Sequence, residues 1–182
     1  ALYLYPNGDT SSWNTIDTTG LSTWEPRRNN ENDWSETVMS TGSNHPDYGW
    51  GVYNDITHDV EGDSIYIIQT KAGDFKKFVI TGMMAMTQSW DFKYANLDGS
   101  DEVSGSIVKT NYTGKNFVYY SIDHDSTMDL EPMASDWDIL FSRYTARYPV
   151  GGYYNVAGIQ TNKFRTTGEA KDVDVDNVDW TA

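Results

Sequence analysis

Apolar and aromatic residues fall along this chain in short runs separated by turn-forming stretches. IYIIQT (65–70), KFVITG (77–82), WDFKYANL (90–97), GSIVKTNY (105–112), FVYYSID (117–123) and WDILFSRYTARY (137–148) are rich in β-branched and aromatic residues. AGD, LDGSDE, TGKN and HDSTMD lie between them. This spacing predicts an all-β antiparallel domain of β-sandwich type with long loops. Helical periodicity is scarce, and ENDWSETVM (31–39) and EPMASDWDIL (131–140) are the best candidates for the one or two short helices expected. Successive strand side chains point to opposite sides, so Trp90, Phe92 and Tyr94 share one face and Asp91 and Lys93 the other. FVYYSI and WDILF are apolar on both faces, which predicts central strands with Trp137 and Phe141 in the core.

The N-terminal part, residues 1–47, reads as loop-rich. From residue 6 onward it is dense in Asn, Ser, Thr, Gly and Asp, with Trp13, Trp24 and Trp34 scattered through it as anchors. At the other end, EAKDVDVDNVDWTA (169–182) alternates acid and Val, the pattern of an acidic tail or an edge strand. A length of 182 residues suits one domain. The 27 Asp and Glu outweigh 13 Lys and Arg, for a formal charge of −14. Such a surface repels phosphate backbones and anionic membranes, so nucleic acid is not an expected partner. With no Cys, thiolate metal sites, disulfides and thiol catalysis are excluded. No apolar run approaches the roughly 20 residues of a membrane-spanning helix, and ALYLYPNGD lacks the basic and apolar regions of a signal peptide.

Two stretches carry a family resemblance. The first is YGWGVYNDITHDVEGDSIYIIQTKAGDFKKFVITG (48–82) with WDFKYANLDGS (90–100); the second is KNFVYYSID (115–123) with SDWDILFSRYTARY (135–148). Together they resemble the HmuY-like family, β-rich extracellular or outer-membrane proteins of the Bacteroidota whose founding members bind haem. The order departs from the family's, since the Gly-Asp-Ser-Ile-Tyr block at 63–82 here precedes the Trp-Asp segment at 136–148. The resemblance implies one HmuY-like β-domain over 1–182. It also implies a location outside the cell or on the outer-membrane surface of a Gram-negative bacterium, and haem as ligand.

Haem needs one or two axial His or Met ligands and an apolar slot. The chain offers His45, His58 and His124, with Met83, Met84 and Met86 close together. His58 falls near a family ligand position. The site expected from these residues is His58 as iron ligand, a Met from Met83, Met84 or Met86 opposite it, and walls from Trp50, Tyr53 and Trp90. The alternative for the three Met is that they fill core gaps. Calcium is a further possibility in the oxygen-rich turn ANLDGSDE, through Asp98 and Asp101, which otherwise reads as a plain Asp-Gly hairpin turn. Acidic pairs such as Asp101 with Glu102, Asp123 with Asp125 and Asp136 with Asp138 come without a nucleophile or zinc motif, so no enzyme activity is expected. The rival class is a glycan-binding, adhesive or self-associating module that stacks sugars on Trp13, Trp24, Trp34, Tyr148, Tyr153 or Tyr154.

Overall fold

The computed structural model describes residues 1–29, 38–39, 44–148 and 151–162. The fold is all-β, antiparallel and sandwich-like, as the strand pattern predicts. Eleven strands occur in chain order among the described residues: β1 (Leu2–Leu4), β2 (Gly51–Tyr53), β3 (Val60–Gly62), β4 (Tyr66–Gln69), β5 (Phe75–Met84), β6 (Ser89–Asn96), β7 (Val103–Val108), β8 (Tyr119–Ser121), β9 (Ser126–Met128), β10 (Ile139–Arg147) and β11 (Tyr153–Thr161). Helix is confined there to short 3-10 turns at Thr10–Asn14, Leu21–Thr23, Lys109–Tyr112 and Ala134–Asp136. The helix expected over 131–140 is only the last of these turns, and most of the 31–39 candidate lies outside the described residues. No helix among the described residues is long and apolar enough to cross a membrane.

The chain divides into two compact units, one formed by Ala1–Thr113 with Val118–Asp129, the other by Gly114–Phe117 with Leu130–Ala182. The first unit is built on a seven-stranded sheet. Its long strand β5 pairs with β6 on one edge, and on the other edge with β4 through Phe75–Phe78 and with β3 through Gly82 and Met83. β3 and β4 therefore run end to end beside β5, broken by residues 63–65. The break coincides with an irregularity in β5 between Ile80 and Gly82. Here Gly62 is required, since a Cβ on it would lie 1.7 Å from the Ile80 carbonyl oxygen.

Strand alternation sorts the core on the two faces of this sheet. Met83 lies across from Trp90, Ile80 from Phe92 and Phe78 from Tyr94, so these six share a face. Met83, Ile80, Phe78 and Trp90 pack there against a buried cluster of Leu2, Trp50, Val60 and Tyr66. The β8–β9 hairpin joins this face through Tyr120, whose ring lies 4.8 Å from Phe92. On the other face Lys77, Val79, Lys93 and Ala95 meet the N-terminal segment. Trp13, 4% exposed, packs there with Tyr5, Ile65, Val79 and Ala95, with Ile16 and Trp24 at its margin. The Lys77 and Lys93 ammonium groups sit 4.6 and 4.4 Å from the centre of the Trp13 ring. The Lys77 ammonium donates to the Trp13 carbonyl at 2.7 Å, and the indole N–H donates to Glu102 at 2.6 Å. The expectation that Trp13 anchors a polar loop is met in this way.

The second unit carries the two-stranded ribbon β10–β11 and a small polar core. Glu131 accepts the backbone N–H groups of Asn116 and Phe117 at 2.8 and 2.6 Å. Buried Asn162 donates to the carbonyls of Ala134 and Trp137 at 2.9 and 3.1 Å. The expectation of a central β10 with Phe141 in the core is corrected. Among the described residues β10 has only β11 as a partner, and Phe141 is 72% exposed because none of those residues covers the face that it shares with Ile139 and Ile159. FVYYSI likewise gives the short strand β8 of a two-stranded hairpin and not a central strand.

Candidate functional site

The candidate site is built on the tight turn between β2 and β3, whose sequence is Asn54-Asp-Ile-Thr-His-Asp59. The Asn54 side chain accepts the N–H groups of Ile56 and Thr57 at 2.9 and 3.2 Å, and its carbonyl accepts that of His58 at 2.8 Å. His58 then turns the chain in the left-handed region, at φ 62°. Its exposed imidazole is held from within by a 2.5 Å hydrogen bond between Nδ1 and the Tyr53 hydroxyl. In the tautomer where Nδ1 donates to the Tyr53 oxygen, Nε2 keeps a free lone pair, the arrangement by which a neighbouring group orients a metal-binding histidine.

Around Tyr53 lies an aromatic ledge. Its ring centre is 5.2 Å from His45, 5.9 Å from His58 and 6.5 Å from Tyr48. His45 Nε2 lies 3.7 Å from the Asp55 carboxylate. Ile56 at the tip of the turn is 88% exposed, and Val52 and Tyr48 are also open to solvent.

A second turn, between β5 and β6, is tied to the first. The Asp59 carboxylate accepts the N–H of Ala85 at 2.7 Å, which brings the segment Met84–Met86 to the end of the sheet that carries His58. The three methionines have separate fates. Met86 projects from the turn and is 96% exposed. Half-buried Met84 folds back over Gly82, its sulfur 3.1 Å from where a Cβ on that glycine would stand. Met83 pairs with Val60 and packs in the core cluster. Trp50 and Trp90 stack 5.3 Å apart in the same cluster. The slot expected between Trp50, Tyr53 and Trp90 is thus filled by packed side chains, and of the proposed lining only Tyr53 stands beside His58. Tyr48 and Ile56 were not foreseen in this site, since each is a single apolar residue inside an Asn- and Asp-rich turn.

The acidic residues have local structural partners. Asp98 accepts the Ser100 N–H at 2.9 Å and the Ser100 hydroxyl at 2.7 Å, and Asp101 accepts the Asn96 amide at 2.8 Å, so both close the β6–β7 turn. These bonds hold the Asp98 carboxyl below its usual range, those from Ser100 foremost. Hydrogen bonds lower Asp9, Asp17 and Asp125 in the same way, with Ser11, Thr19 and Tyr120 as the leading partners. Asp101 faces Asn96 while its neighbour Glu102 faces Trp13, and Asp123 accepts the Ala72 N–H at 3.2 Å while Asp125 accepts the Tyr94 hydroxyl at 2.9 Å. Neither sequence pair converges on a shared cleft. No group of three or more His, Asp or Glu able to hold a metal ion occurs among the described residues. No protein-family model, curated protein or solved structure matches the chain.

Proposed function

We propose that the protein is a binding module and not an enzyme, with haem or a related porphyrin as its ligand. His58 Nε2 and the exposed Met86 thioether would hold the iron, and Tyr48, Tyr53 and Ile56 would offer an apolar ledge for a flat macrocycle. The observation that carries this reading is the bond that the Ala85 N–H donates to the Asp59 carboxylate, which ties the turn bearing His58 to the turn bearing Met86. The Tyr53 hydroxyl on Nδ1 supports it further, because it fixes the orientation of the imidazole. Bound haem would supply an iron centre that accepts these two ligands and a strong visible absorption. The chain's own task is to present the ligands and shield one face of the ring. The resemblance to HmuY-like proteins supports the same reading, with the module outside the cell or on the outer-membrane surface, where an acidic exterior would favour solubility.

Titration of the purified protein with haemin tests the proposal. A red-shifted Soret band is expected to saturate at one equivalent, His58→Ala to weaken binding at least tenfold, and Met86→Ala to turn a six-coordinate spectrum into a five-coordinate one. Absence of a Soret shift, or a titration unchanged in the double variant, overturns it.

A further inference from the structure

One cavity of the first unit takes no part in the His58 edge. It is an open groove of about 520 Å³ across β5, β6 and β7, lined by Thr81, Thr87, Ser89, Asp91, Ser104 and Ser106, with Phe92, Gly105 and Val108 completing it. The register explains its character. Asp91 stands opposite Ser106, Lys93 opposite Ser104 and Ser89 opposite Val108, so the side chains of this row leave the sheet on one face, and Phe92 and Gly105, which alternate with them, complete the lining. β7 reads Val-Ser-Gly-Ser-Ile-Val, with hydroxyls alternating on that face and a glycine between them. The result is five hydroxyl groups around one carboxylate. Asp91 Oδ1 accepts the Ser106 hydroxyl at 2.6 Å, and the Thr87 and Ser89 hydroxyls are 2.8 Å apart.

From this arrangement we infer a second binding site, for a neutral polyhydroxylated ligand of the carbohydrate class. A carboxylate accepts hydrogen bonds from two neighbouring hydroxyls of a sugar, and Ser and Thr hydroxyls both donate and accept, so they match a ligand whose every polar group does the same. A phosphorylated or carboxylated ligand is disfavoured, because Asp91 is the one charge among the lining residues and the chain carries −14 overall. The volume suits one or two sugar rings. The test variants are independent of the haem proposal, since neither Asp91 nor Ser104 belongs to the His58 ledge or to the turn that carries Met86.

The test is saturation-transfer NMR and calorimetry of the whole chain with glucose, galactose, mannose, N-acetylglucosamine and their β-linked disaccharides. At least one of these is expected to bind. Asp91→Ala should weaken that binding tenfold or more, and Ser104→Leu, which fills the groove while keeping the Asp91 carboxylate, should abolish it. Asp74→Asn, in a remote turn, should leave it unchanged, and haemin titration should be the same in all three variants. Circular dichroism confirms that each variant folds. Failure of the whole panel to bind, or binding that survives both Asp91→Ala and Ser104→Leu, overturns the inference. A haemin result that fails while sugar binding persists would count against the His58 reading alone.

Discussion

Raising the pH from 8 to 11.5 tests the core through Tyr66. This residue is fully buried, and its hydroxyl donates to the Met39 carbonyl at 3.0 Å and the Gly49 carbonyl at 3.5 Å. Burial pushes its pKa from 10.0 up to about 12. A folded-state pKa above the unfolded one means that the folded chain keeps a proton the unfolded chain releases. The associated stability is fully present below pH 10 and is lost as pH rises toward 12. One decade of acidity is worth about 1.4 kcal/mol, so the loss reaches about 1.4 kcal/mol at pH 11 and about 3 kcal/mol beyond pH 12. Tyr66→Phe removes this dependence and leaves the two carbonyls without their donor, at a cost of about 1 kcal/mol near neutrality. Urea unfolding of both proteins at half-unit steps should therefore show the variant less stable at pH 8 and the two curves crossing near pH 11. Tyr94 and Tyr120 are raised as well, and Lys77 is lowered by desolvation, which acts with the opposite sign below pH 10.5. All three are common to both proteins and cancel in the difference. A gap between the curves that stays constant from pH 8 to 11.5 would refute the reasoning.

At the acid end, Asp125 accepts the hydroxyls of Tyr120 and Tyr94 and is held below its usual range, the Tyr120 bond leading. Its contribution is present above pH 3.8 and fades as pH falls through the lower folded-state value. Asp125→Asn should abolish that part of the acid dependence and speed hydrogen exchange in Tyr119–Ser121, the strand that Tyr120 holds to the sheet. Trp13→Ala should destabilise the first unit by about 3–5 kcal/mol, the range for emptying a buried indole site. Trp13→Phe, which keeps most of the bulk and loses the bond to Glu102, should cost about half as much, both read by urea unfolding.

Four strands of the seven-stranded sheet, β4 to β7, were legible in the sequence because they carry β-branched and aromatic runs between turn signals, whereas the three-residue strands β1, β2 and β3 are too short to show such a pattern. WDFKYANL became β6 with Trp90, Phe92 and Tyr94 on one side, as alternation requires. The second unit was misread for a related reason. WDILF is apolar on both faces, which signals a central strand when a neighbouring layer exists, and no such layer covers Phe141 and Ile159 among the described residues. Local pattern reports what a strand offers for burial and cannot report whether a partner is supplied. The boundary between the units was hidden for a similar reason. It falls around TGKNF and the MDLEP region, where the chain leaves one unit and returns within a few residues, and no linker composition marks it.

At the candidate site, residue type was readable and placement was not. His58 and Met86 lie 28 positions apart, and their turns are brought to one end of the sheet through two features that no periodicity encodes. One is the break between β3 and β4 opposite the Ile80–Gly82 irregularity, which lets a single line of chain serve the same edge of β5 twice. The other is the Asp59 carboxylate, which reaches the backbone of Ala85 and fixes the two turns against each other. The same geometry separates Met83 from Met86. Across an antiparallel pair Met83 is locked opposite Val60 and Trp90 and must face the core, whereas Met86 lies beyond the last paired residue of β5 and is released to solvent. Three methionines that look alike in the sequence are thereby divided by strand register into a core residue, a half-buried neighbour and an exposed thioether. Only the last combines exposure with a place in the turn that Asp59 ties to His58, which is why the haem proposal uses it.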